Sequence, residues 1–363
     1  MSTQEELLQT TKELIAFQTT EDRPGQLQIC ADYIENFFSG TGLTVQRFEH
    51  EGIPSVVVTK GTKTPMVFLS GHFDVVPGDP EQFVPSIEGE KLFGRGAMDM
   101  KSGDAAMMHL MRDLATTDHS IGLMLTGDEE VGGFNGTEKL LKAGYVSKVA
   151  IIPDGGEAAH QVMKGQKGIF RVTLTAHGVN AHGSTPWLGE NAINRLVRIL
   201  PLIEAQFLDL AEHPADHWVT TLNVGRIQGG VATNQVPDIA TAHLDIRFPQ
   251  SDSPEQIEAH IRAILPGGVE AAFSLLGPPV DVSMNHPLAR PFLDAIRTCG
   301  REPQWGVDHG GSDGRFFAEH GTLVLISQPD GGNLHAPGEW VHIPSIKFYY
   351  DVLKSYVNSV ARG

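Results

Sequence analysis

Apolar positions in the N-terminal part of the chain follow two periods that alternate with each other. Helical spacing recurs in residues 3–19 and 24–39 and in the stretches KSGDAAMMHLMRDLA and TEKLLKAG. Short runs rich in apolar and β-branched residues lie between them and predict strands at LTVQRF, SVVVTK, MVFLS, GLMLTGDEE and KVAIIPD. Strands that alternate with helices are typical of a mostly parallel sheet flanked by helices, so we predict an α/β fold.

From residue 168 onwards the pattern changes to an alternation of apolar and polar residues. The runs GIFRVTLTAHG, TLNVGRIQGG, DIATAHLDIRFP and VEAAFSLLG predict strands, whereas NAINRLVRILPLIEAQFLDL and SPEQIEAHIRAIL predict helices. Their order, β-α-β-β-α-β, is the ferredoxin-like order. The first pattern returns after GPPVDV and ends in a helix from Ile343. We therefore predict one α/β domain formed by residues 1–167 and 278–363, interrupted by an inserted ferredoxin-like α+β domain at 168–277.

Composition and charge narrow the possible partners. The chain of 363 residues is longer than one hydrophobic core usually supports, which agrees with two domains. Its formal net charge of −17, without a basic patch, argues against nucleic acid and an anionic membrane surface as partners. Cys30 and Cys299 are too few for a disulfide framework. The acidic, amphipathic N-terminus does not fit a signal peptide, and no apolar run reaches membrane-spanning length, so we expect a cytoplasmic protein.

The stretch SGHFDVVPGD follows a buried strand and ends in a Pro-Gly turn. His72 and Asp74 are two residues apart in extended chain, so their side chains point to the same face. A neutral imidazole there can bind a metal through one nitrogen, while the Asp74 carboxylate holds the other ring N–H and fixes the tautomer. The alternative is a hydrogen-bonded polar pair at a strand end without a metal.

Further acids occur where predicted strands end or helices begin, and one more histidine lies in the late loop GGNLHAPGE. Because carboxyl ends of parallel strands meet at one edge of a sheet, we expect these side chains to converge. Two histidines and three carboxylates form a ligand set suited to zinc, cobalt or manganese, and a shared carboxylate would hold two ions. Taken singly, each acid is better explained as a solvated loop end, but this does not explain five such residues together. The candidate ligands are His72, Asp99, Glu130, Asp154 and His335.

Four stretches, SGHFDVVPGD, LFGRGAMDMKSG, TGDEEVGG and GVNAHGSTPWLGENAI, resemble the signature motifs of a known family. It is the co-catalytic dizinc amidohydrolase and exopeptidase family, which includes acetylornithine deacetylase, succinyl-diaminopimelate desuccinylase, carboxypeptidase G, aminoacylase and several dipeptidases. The resemblance extends over essentially the whole chain, including the predicted insert. It implies a zinc-peptidase-like catalytic domain and two divalent metal ions, most readily zinc, with cobalt or manganese as alternatives.

The resemblance also implies a role for each residue of these motifs. His72 and Asp154 would bind one metal, Glu130 and His335 the other, and Asp99 would bridge both, with a cis peptide bond to Met100. Asp74 would orient His72, and Glu129 would act as the general base that takes a proton from a water between the metals.

One departure from the family pattern concerns the fourth carboxylate. The deacetylase and desuccinylase branch usually has glutamate there, within a Glu-Pro pair, whereas this chain has PDGGE. Asp154 in a Pro-Asp-Gly context is more similar to the dipeptidase branch. Glu157 is an alternative ligand, placed behind Asp154 because it lies beyond two glycines.

The predicted insert and a late glycine turn contribute further candidates. His182, in AHGSTP, resembles a family histidine that reaches into the partner subunit's site and polarises the scissile carbonyl; otherwise it is a loop histidine without a task. Asn234 and Arg247 resemble residues that bind the substrate carboxylate, although a surface salt bridge is an alternative for Arg247. Gly311 and Ser312, in HGGSDGRF, lie where a helix is predicted to begin, at Ser312. Their backbone N–H groups would be available to an anion.

These features predict a metal-dependent hydrolase that cleaves the amide bond of N-acyl amino acids with a free carboxylate. A dipeptidase or carboxypeptidase of the same family is the alternative that Asp154 favours. A non-catalytic binding or assembly protein on the same scaffold would have lost Glu129 or a ligand, and none is missing. A two-metal phosphoesterase would need basic residues around the metals, and the motifs contain few. We expect a homodimer through the inserted domain, with His182 acting in the neighbouring subunit's site.

Overall fold

A computed structural model describes residues 3–207, 217–283 and 285–362. The chain divides into two compact units, the first formed by Met1–Lys164 and Val282–Gly363 and the second by Gly165–Asp281. The predicted insert, 168–277, falls within the second unit. In the described part of the chain, no helix combines the length and the apolar character that a bilayer crossing requires.

The first unit is organised around a six-stranded sheet. Three neighbouring pairs of strands are parallel, and the two pairs nearest one edge are antiparallel. The prediction of a mainly parallel α/β sheet is therefore confirmed. In spatial order the strands are Thr44–His50, Ile53–Thr59, Ile121–Thr126, Val67–His72, Val149–Ile152 and Leu323–Ile326.

The central strands of this sheet are apolar on both faces because both faces are covered. Every residue of Val67–His72, Ile121–Thr126 and Val149–Ile152 is buried, as is typical of parallel strands between layers of helices. His72 is in register with Thr126, and Leu69 with Ile151. The carboxyl ends of these strands therefore lie side by side, and the segments that follow them start from one edge.

Helices of the first unit pack around this sheet. Ser102–Asp113 is buried along almost its whole length. The helix predicted for residues 3–19 ends at Ala16, and the helix predicted from Ser312 begins at Gly314. Within the predicted glycine loop FGRGAMDM, Ala97–Lys101 forms a π-type turn. The helices are Thr3–Ala16, Pro24–Phe37, Ser102–Asp113, Thr137–Lys142, Arg290–Thr298, Gly314–Glu319 and Ile343–Val360, with 3₁₀ turns at Pro80–Phe83 and Glu129–Val131.

A small second sheet supports the loops around the main one. Its order is Gly331–Gly332, Trp340–His342, Lys91–Phe93 and Ser86–Glu88. This sheet connects the segment before Asp99 with the segment around His335, because the strand Trp340–His342 pairs with Lys91–Phe93. Further strands are Gln161–Gln166, Val280–Asp281 and Gln304–Asp308.

The second unit contains a four-stranded antiparallel sheet and two helices. Its strands, in spatial order, are Thr221–Gly229, Ile239–Phe248, Gly168–His177 and Val269–Gly277. The helices Ala192–Phe207 and Pro254–Ile264 complete the predicted β-α-β-β-α-β order. Alternate residues of the central strands, among them Val172 and Leu244, are buried in a core that the helices share. The last predicted helical residues, 208–210, lie outside the described residues.

Candidate metal centre

Asp99 belongs to two groups of potential metal ligands in the first unit. The ligand atoms of His72, Asp99 and Asp154 lie within 4.8 Å of one another, and so do those of Asp99, Glu130 and His335. Asp99 Oδ1 is 3.2 Å from His72 Nε2, while Asp99 Oδ2 is 2.9 Å from His335 Nε2. All five ligands expected from the sequence are thus close together, with Asp99 between the two histidines.

The ring of His72 is held by Asp74. His72 Nδ1 lies 3.0 Å from the Asp74 backbone carbonyl and 3.4 Å from Asp74 Oδ1. Both neighbours of Nδ1 are acceptors, so Asp74 can hold the proton of a neutral ring on this nitrogen. Nε2, which faces Asp99, is then the nitrogen with a free lone pair, as a metal ligand requires.

The carboxylate of Asp74 also holds the turn that carries the two adjacent glutamates. Its Oδ1 accepts a hydrogen bond from the Glu129 N–H (3.1 Å), and its Oδ2 accepts one from the Glu130 N–H (2.9 Å). This turn, Glu129–Val131, follows the buried strand Ile121–Thr126. Asp74 therefore fixes the backbone of Glu129 and Glu130 and also contacts His72.

Glu339 positions the loop that carries Asp99, although no role was predicted for this residue. Its Oε1 accepts hydrogen bonds from the N–H groups of Met98 (2.9 Å) and Asp99 (3.1 Å), and its Oε2 accepts one from Gly96 (3.1 Å). The peptide bond between Asp99 and Met100 is cis. A signal was present in the sequence, because Glu339 is a charged residue only four positions after His335 in the loop HAPGE.

The protein's own groups perturb each other strongly around Asp99. Burial by itself raises the pKa of Asp99, but hydrogen bonds with His335 and His72 outweigh it and hold that pKa below its usual range. Hydrogen bonds to Asp99 and Glu130 raise the pKa of His335 to about 10. The carboxylates therefore stabilise a positive charge at the imidazoles that face them.

The pKa values of Glu129 and Asp154 are displaced in the opposite sense from that of Asp99. Burial, followed by the charge of Asp154, raises the pKa of Glu129 well above its ordinary value. Burial, followed by the charge of Asp99, does the same for Asp154. Several carboxylates that repel each other in a buried place are stabilised when cations lie between them.

The donor set fits a pair of divalent cations. Two imidazoles and three carboxylates are ligands that zinc, cobalt and manganese accept. Among the described residues, Glu129 belongs to neither ligand group, so its carboxylate remains free for another task. Glu157, the alternative to Asp154, also belongs to neither group and is exposed.

His182 and Asn234 are neighbours within the second unit. Ala181–His182 pairs with Gln235–Val236, and the Gly183 N–H donates to the Asn234 carbonyl at 2.6 Å. The His182 ring is exposed, and its Nδ1 lies 2.7 Å from Ser184 Oγ. Because Ser184 occupies Nδ1, the other ring nitrogen is the one available to a substrate.

Arg247 lies apart from that pair and already has a partner. Its Nε donates to Asp245 Oδ1 at 2.6 Å, which is the salt bridge considered above as the alternative. Arg247 lies near the end of the strand Ile239–Phe248, where it is in register with Ile169. The strand begins at Ile239, which is in register with His177. About 26 Å of strand separates the two ends. Substrate binding by Arg247 stays a prediction.

Gly311 and Ser312 lie in the first unit, before the short helix Gly314–Glu319. Ser312 is buried, and its Oγ accepts the Gly314 N–H at 3.1 Å. The next residue, Asp313, accepts a hydrogen bond from Thr137 Oγ1 at 2.5 Å. Together with burial, the Asp313 charge raises the pKa of Asp128 to about 7. The glycine turn thus packs beside the segment that precedes Glu129, and anion binding by its N–H groups stays a prediction.

Comparison with known proteins identifies relatives of the whole chain. Residues 68–359 match the family described as peptidase family M20/M25/M40. A succinyl-diaminopimelate desuccinylase of Rhodospirillum centenum is 31% identical over 348 residues, which cover 87% of this chain and 88% of the relative.

Solved structures with the same fold include two peptidases. A tripeptidase from Staphylococcus aureus has a TM-score of 0.82 at 22% identity, covering 99% of both chains. A dinuclear metal binding peptidase of the M20 family from Bacillus subtilis has a TM-score of 0.73 at 14% identity, covering 98% of both chains. The family predicted from the four motifs is confirmed. The chain belongs to peptidase family M20/M25/M40 and is a metallohydrolase of that family, which has a dinuclear metal site.

Proposed function

We propose that this metallohydrolase cleaves the amide bond of small N-acyl amino acids that carry a free carboxylate. The observation that carries the proposal is the pair of ligand groups that share Asp99, with the uncommitted carboxylate of Glu129 beside them. Two cations side by side and one free base are the parts with which two-metal enzymes hydrolyse amides.

In this proposal His72, Asp154 and Asp99 would hold one zinc ion, and Glu130, His335 and Asp99 would hold the other. Such ions would supply polarisation of the amide carbonyl and a water that is nucleophilic near neutral pH. Glu129 accepts the proton from the attacking water and returns it to the leaving nitrogen. Burial is the first cause of the raised pKa of Glu129, and a raised pKa favours uptake of a proton by this carboxylate.

Asp74 is a positioning residue in this mechanism. Its carboxylate holds the N–H groups of Glu129 and Glu130, so that one glutamate faces the ligands while its neighbour stays free. Its contact with His72 Nδ1 keeps the other ring nitrogen available. One side chain thus supports a ligand to each ion and the base.

A dipeptidase or carboxypeptidase activity is the second candidate. It is favoured by Asp154, which stands where the deacetylase and desuccinylase branch usually has glutamate. The Rhodospirillum centenum relative is named as a desuccinylase, which favours deacylation instead. The tripeptidase likeness, at 22% identity, supports the fold alone. Both candidates use the same metal centre and differ in the substrate's amino end.

The substrate carboxylate would be bound by groups away from the metals, with Asn234 and the Gly311–Ser312 turn as candidates. We further propose a homodimer through the second unit, in which His182 polarises the scissile carbonyl in the neighbouring subunit's site. The exposed His182 ring, with one nitrogen unoccupied by Ser184, supports this role.

The proposal is tested by removing and restoring the metal. Protein stripped with a chelator should hydrolyse none of a panel of N-acetyl, N-succinyl and dipeptide substrates, and zinc or cobalt should restore activity at about two ions per chain. Full activity with verified absence of metal would overturn the metal mechanism. Metal binding without hydrolysis of any substrate would favour a binding protein on the same scaffold.

A further inference from the structure

A cavity of about 460 Å³ adjoins the metal centre within the first unit. Its size lies in the range of pockets that take small ligands. Asp154, a member of one ligand group, and Met98, the residue before Asp99, are among the residues that line it.

The charged side chains that line this cavity are almost all acidic. Asp154, Glu157 and Asp308 contribute carboxylates, and the lining contains one histidine and neither lysine nor arginine. Burial and then the charge of Asp99 raise the pKa of the Asp154 carboxyl, and the nearby charge of Asp308 adds to them. Glu157 and Asp308 therefore add negative charge to the cavity, in addition to the charge of the metal ligand Asp154.

Glu157 and Asp308 remain available after the metals are bound. Asp154 would be neutralised by its ion, whereas Glu157 belongs to neither ligand group of the described residues and is exposed. The Asp308 carboxylate accepts the Gly310 N–H at 2.9 Å through Oδ1, which leaves Oδ2 for a further partner. Two carboxylates beside a catalytic site attract a cation and repel an anion.

The remainder of the lining suits the hydrocarbon part of such a cation. Met98, Val307 and Leu334 contribute apolar surface. Gln328 is buried, and its amide is committed to the backbone of Gly155 and Gly156, so it stiffens the cavity wall. An alkyl chain or peptide backbone that ends in a positive charge matches this combination.

We propose that this cavity binds a cationic group of the substrate, an ammonium or a guanidinium, and that Glu157 and Asp308 are specificity-determining residues. This inference rests on the proposed amide hydrolysis at the adjoining metals. Two sources supply such a group: the free amino terminus of a peptide, or the basic side chain of an N-acyl amino acid. A succinyl group ends in a carboxylate, so the same cavity disfavours it.

Binding is tested on zinc-loaded protein with pairs of hydroxamates, which anchor on the metals and differ only in an ammonium group. 6-Aminohexanohydroxamate against hexanohydroxamate represents a basic side chain, and leucine hydroxamate against 4-methylpentanohydroxamate represents an amino terminus. By calorimetry, in one of the two pairs the cationic hydroxamate should bind about five- to tenfold more tightly than its neutral partner. The pair that shows the preference identifies the source of the charge.

The two acids are tested by the double substitution Glu157→Gln with Asp308→Asn, which keeps size and removes charge. The hydroxamate preference should fall to about one, with unchanged affinity for the neutral member. Glu88→Gln, an exposed acid in the same unit and outside the cavity, should keep the preference and serves as control. Equal binding of charged and neutral partners by the unsubstituted protein, or a preference that survives the double substitution, would overturn the inference.

Hydrolysis is measured on matched substrates with the same variants. N-acetyl-lysine should be cleaved with a higher kcat/KM than N-acetyl-norleucine, or a dipeptide with a higher kcat/KM than its N-acetylated form, and the N-succinyl substrate should be slowest. Hydrolysis without a preference for the cation contradicts the inference and leaves the proposed function standing. A hydroxamate preference without hydrolysis of any amide contradicts the proposed function and supports the cationic site. A fastest reaction with the N-succinyl substrate would contradict the inference directly.

Discussion

Arg95 Nη1 lies 2.7 Å from Glu339 Oε2, and both side chains are almost fully buried. Arg95 also donates from Nη2 to the His335 backbone carbonyl at 3.3 Å, while Glu339 accepts the N–H of Asp99. This buried ion pair therefore joins the segment of the shared carboxylate to the segment of the second histidine. The distance between Asp99 and His335 depends on the Arg95–Glu339 ion pair, although neither member of this pair has to contact a metal.

Glu339→Ala should lower both stability and metal content. It leaves Arg95 without its carboxylate partner and three backbone N–H groups without an acceptor in a buried place, which costs about 3–5 kcal/mol in the free energy of unfolding. Glu339→Gln keeps an acceptor oxygen and should cost less, about 1–3 kcal/mol. Urea unfolding measures the first effect, and metal analysis after dialysis measures the second.

The exposed acid Glu90 provides the matched control for this substitution. Its exposed side chain forms an ion pair with His342 at the surface, so Glu90→Ala should change the free energy of unfolding by less than about 1 kcal/mol. If Glu339→Ala unfolded at the same urea concentration as the unsubstituted protein and kept its metal, the ion pair would have no positioning role.

Chelated protein should lose stability as pH rises, and His335 should account for part of the loss. Its pKa in the folded chain is raised to about 10 by its hydrogen bonds to Asp99 and Glu130, above an unfolded value near 6.5. Between these values the folded state binds more protons than the unfolded state. The contribution is therefore complete below about pH 6.5 and disappears as pH rises through about 10.

Urea unfolding of chelated protein across this pH range measures that slope. His335→Gln retains a hydrogen bond donor but does not titrate, so its stability should fall less steeply. Glu129 and Asp154, whose pKa values are also raised, act in the same direction in both proteins. Parallel slopes for the two proteins would mean that His335 does not carry the proton.

Much of the metal centre could be predicted from the sequence because its ligands follow buried strands. His72 ends the strand Val67–His72, Glu130 follows Ile121–Thr126, and Asp154 follows Val149–Ile152. Neighbouring parallel strands bring their carboxyl ends together whatever the details of the loops. The apolar character of these strands was therefore sufficient to place the three side chains at one edge.

The supporting contacts could not be predicted in the same way, because they depend on how distant loops fold. Glu339 and Asp99 are 240 positions apart, and nothing in the local pattern links them. His335 has a φ of 57°, a left-handed conformation that glycine usually adopts, and a histidine gives no sequence signal for it. The Asp245–Arg247 salt bridge is different, since two opposite charges two residues apart in a strand lie on one face and form a local signal.

Glu129→Gln and Glu130→Gln should have different consequences, although the residues are adjacent. Glu129→Gln removes the base and should lower kcat by at least about 10²-fold while the metal content stays near two ions per chain. Glu130→Gln removes a ligand, so the metal content itself should fall. Mass spectrometry under native conditions and kcat measured at saturating metal separate the two cases. Loss of metal from the first variant and retention in the second would reverse the two roles.

His182 belongs to the second unit, whereas every proposed metal ligand belongs to the first. If two chains pair about a twofold axis, each can supply this histidine to the site of the other. A donor aimed at the developing oxyanion is worth about 3–4 kcal/mol, so His182→Ala should lower kcat by about 10²- to 10³-fold. Glu129→Gln removes a group from the site of its own chain, whereas His182→Ala removes a group that would lie in the site of the neighbouring chain.

Mixing the two inactive variants, Glu129→Gln and His182→Ala, should therefore restore activity. In a mixed dimer, one of the two sites combines an intact Glu129 with an intact His182 from the partner chain. Random exchange of equal amounts makes half of the dimers mixed, so activity should recover to about a quarter of the unsubstituted level. Each variant exchanged with itself is the control and should stay inactive. Mixed dimers seen by mass spectrometry without recovered activity would mean that His182 serves its own chain or has no part in the reaction.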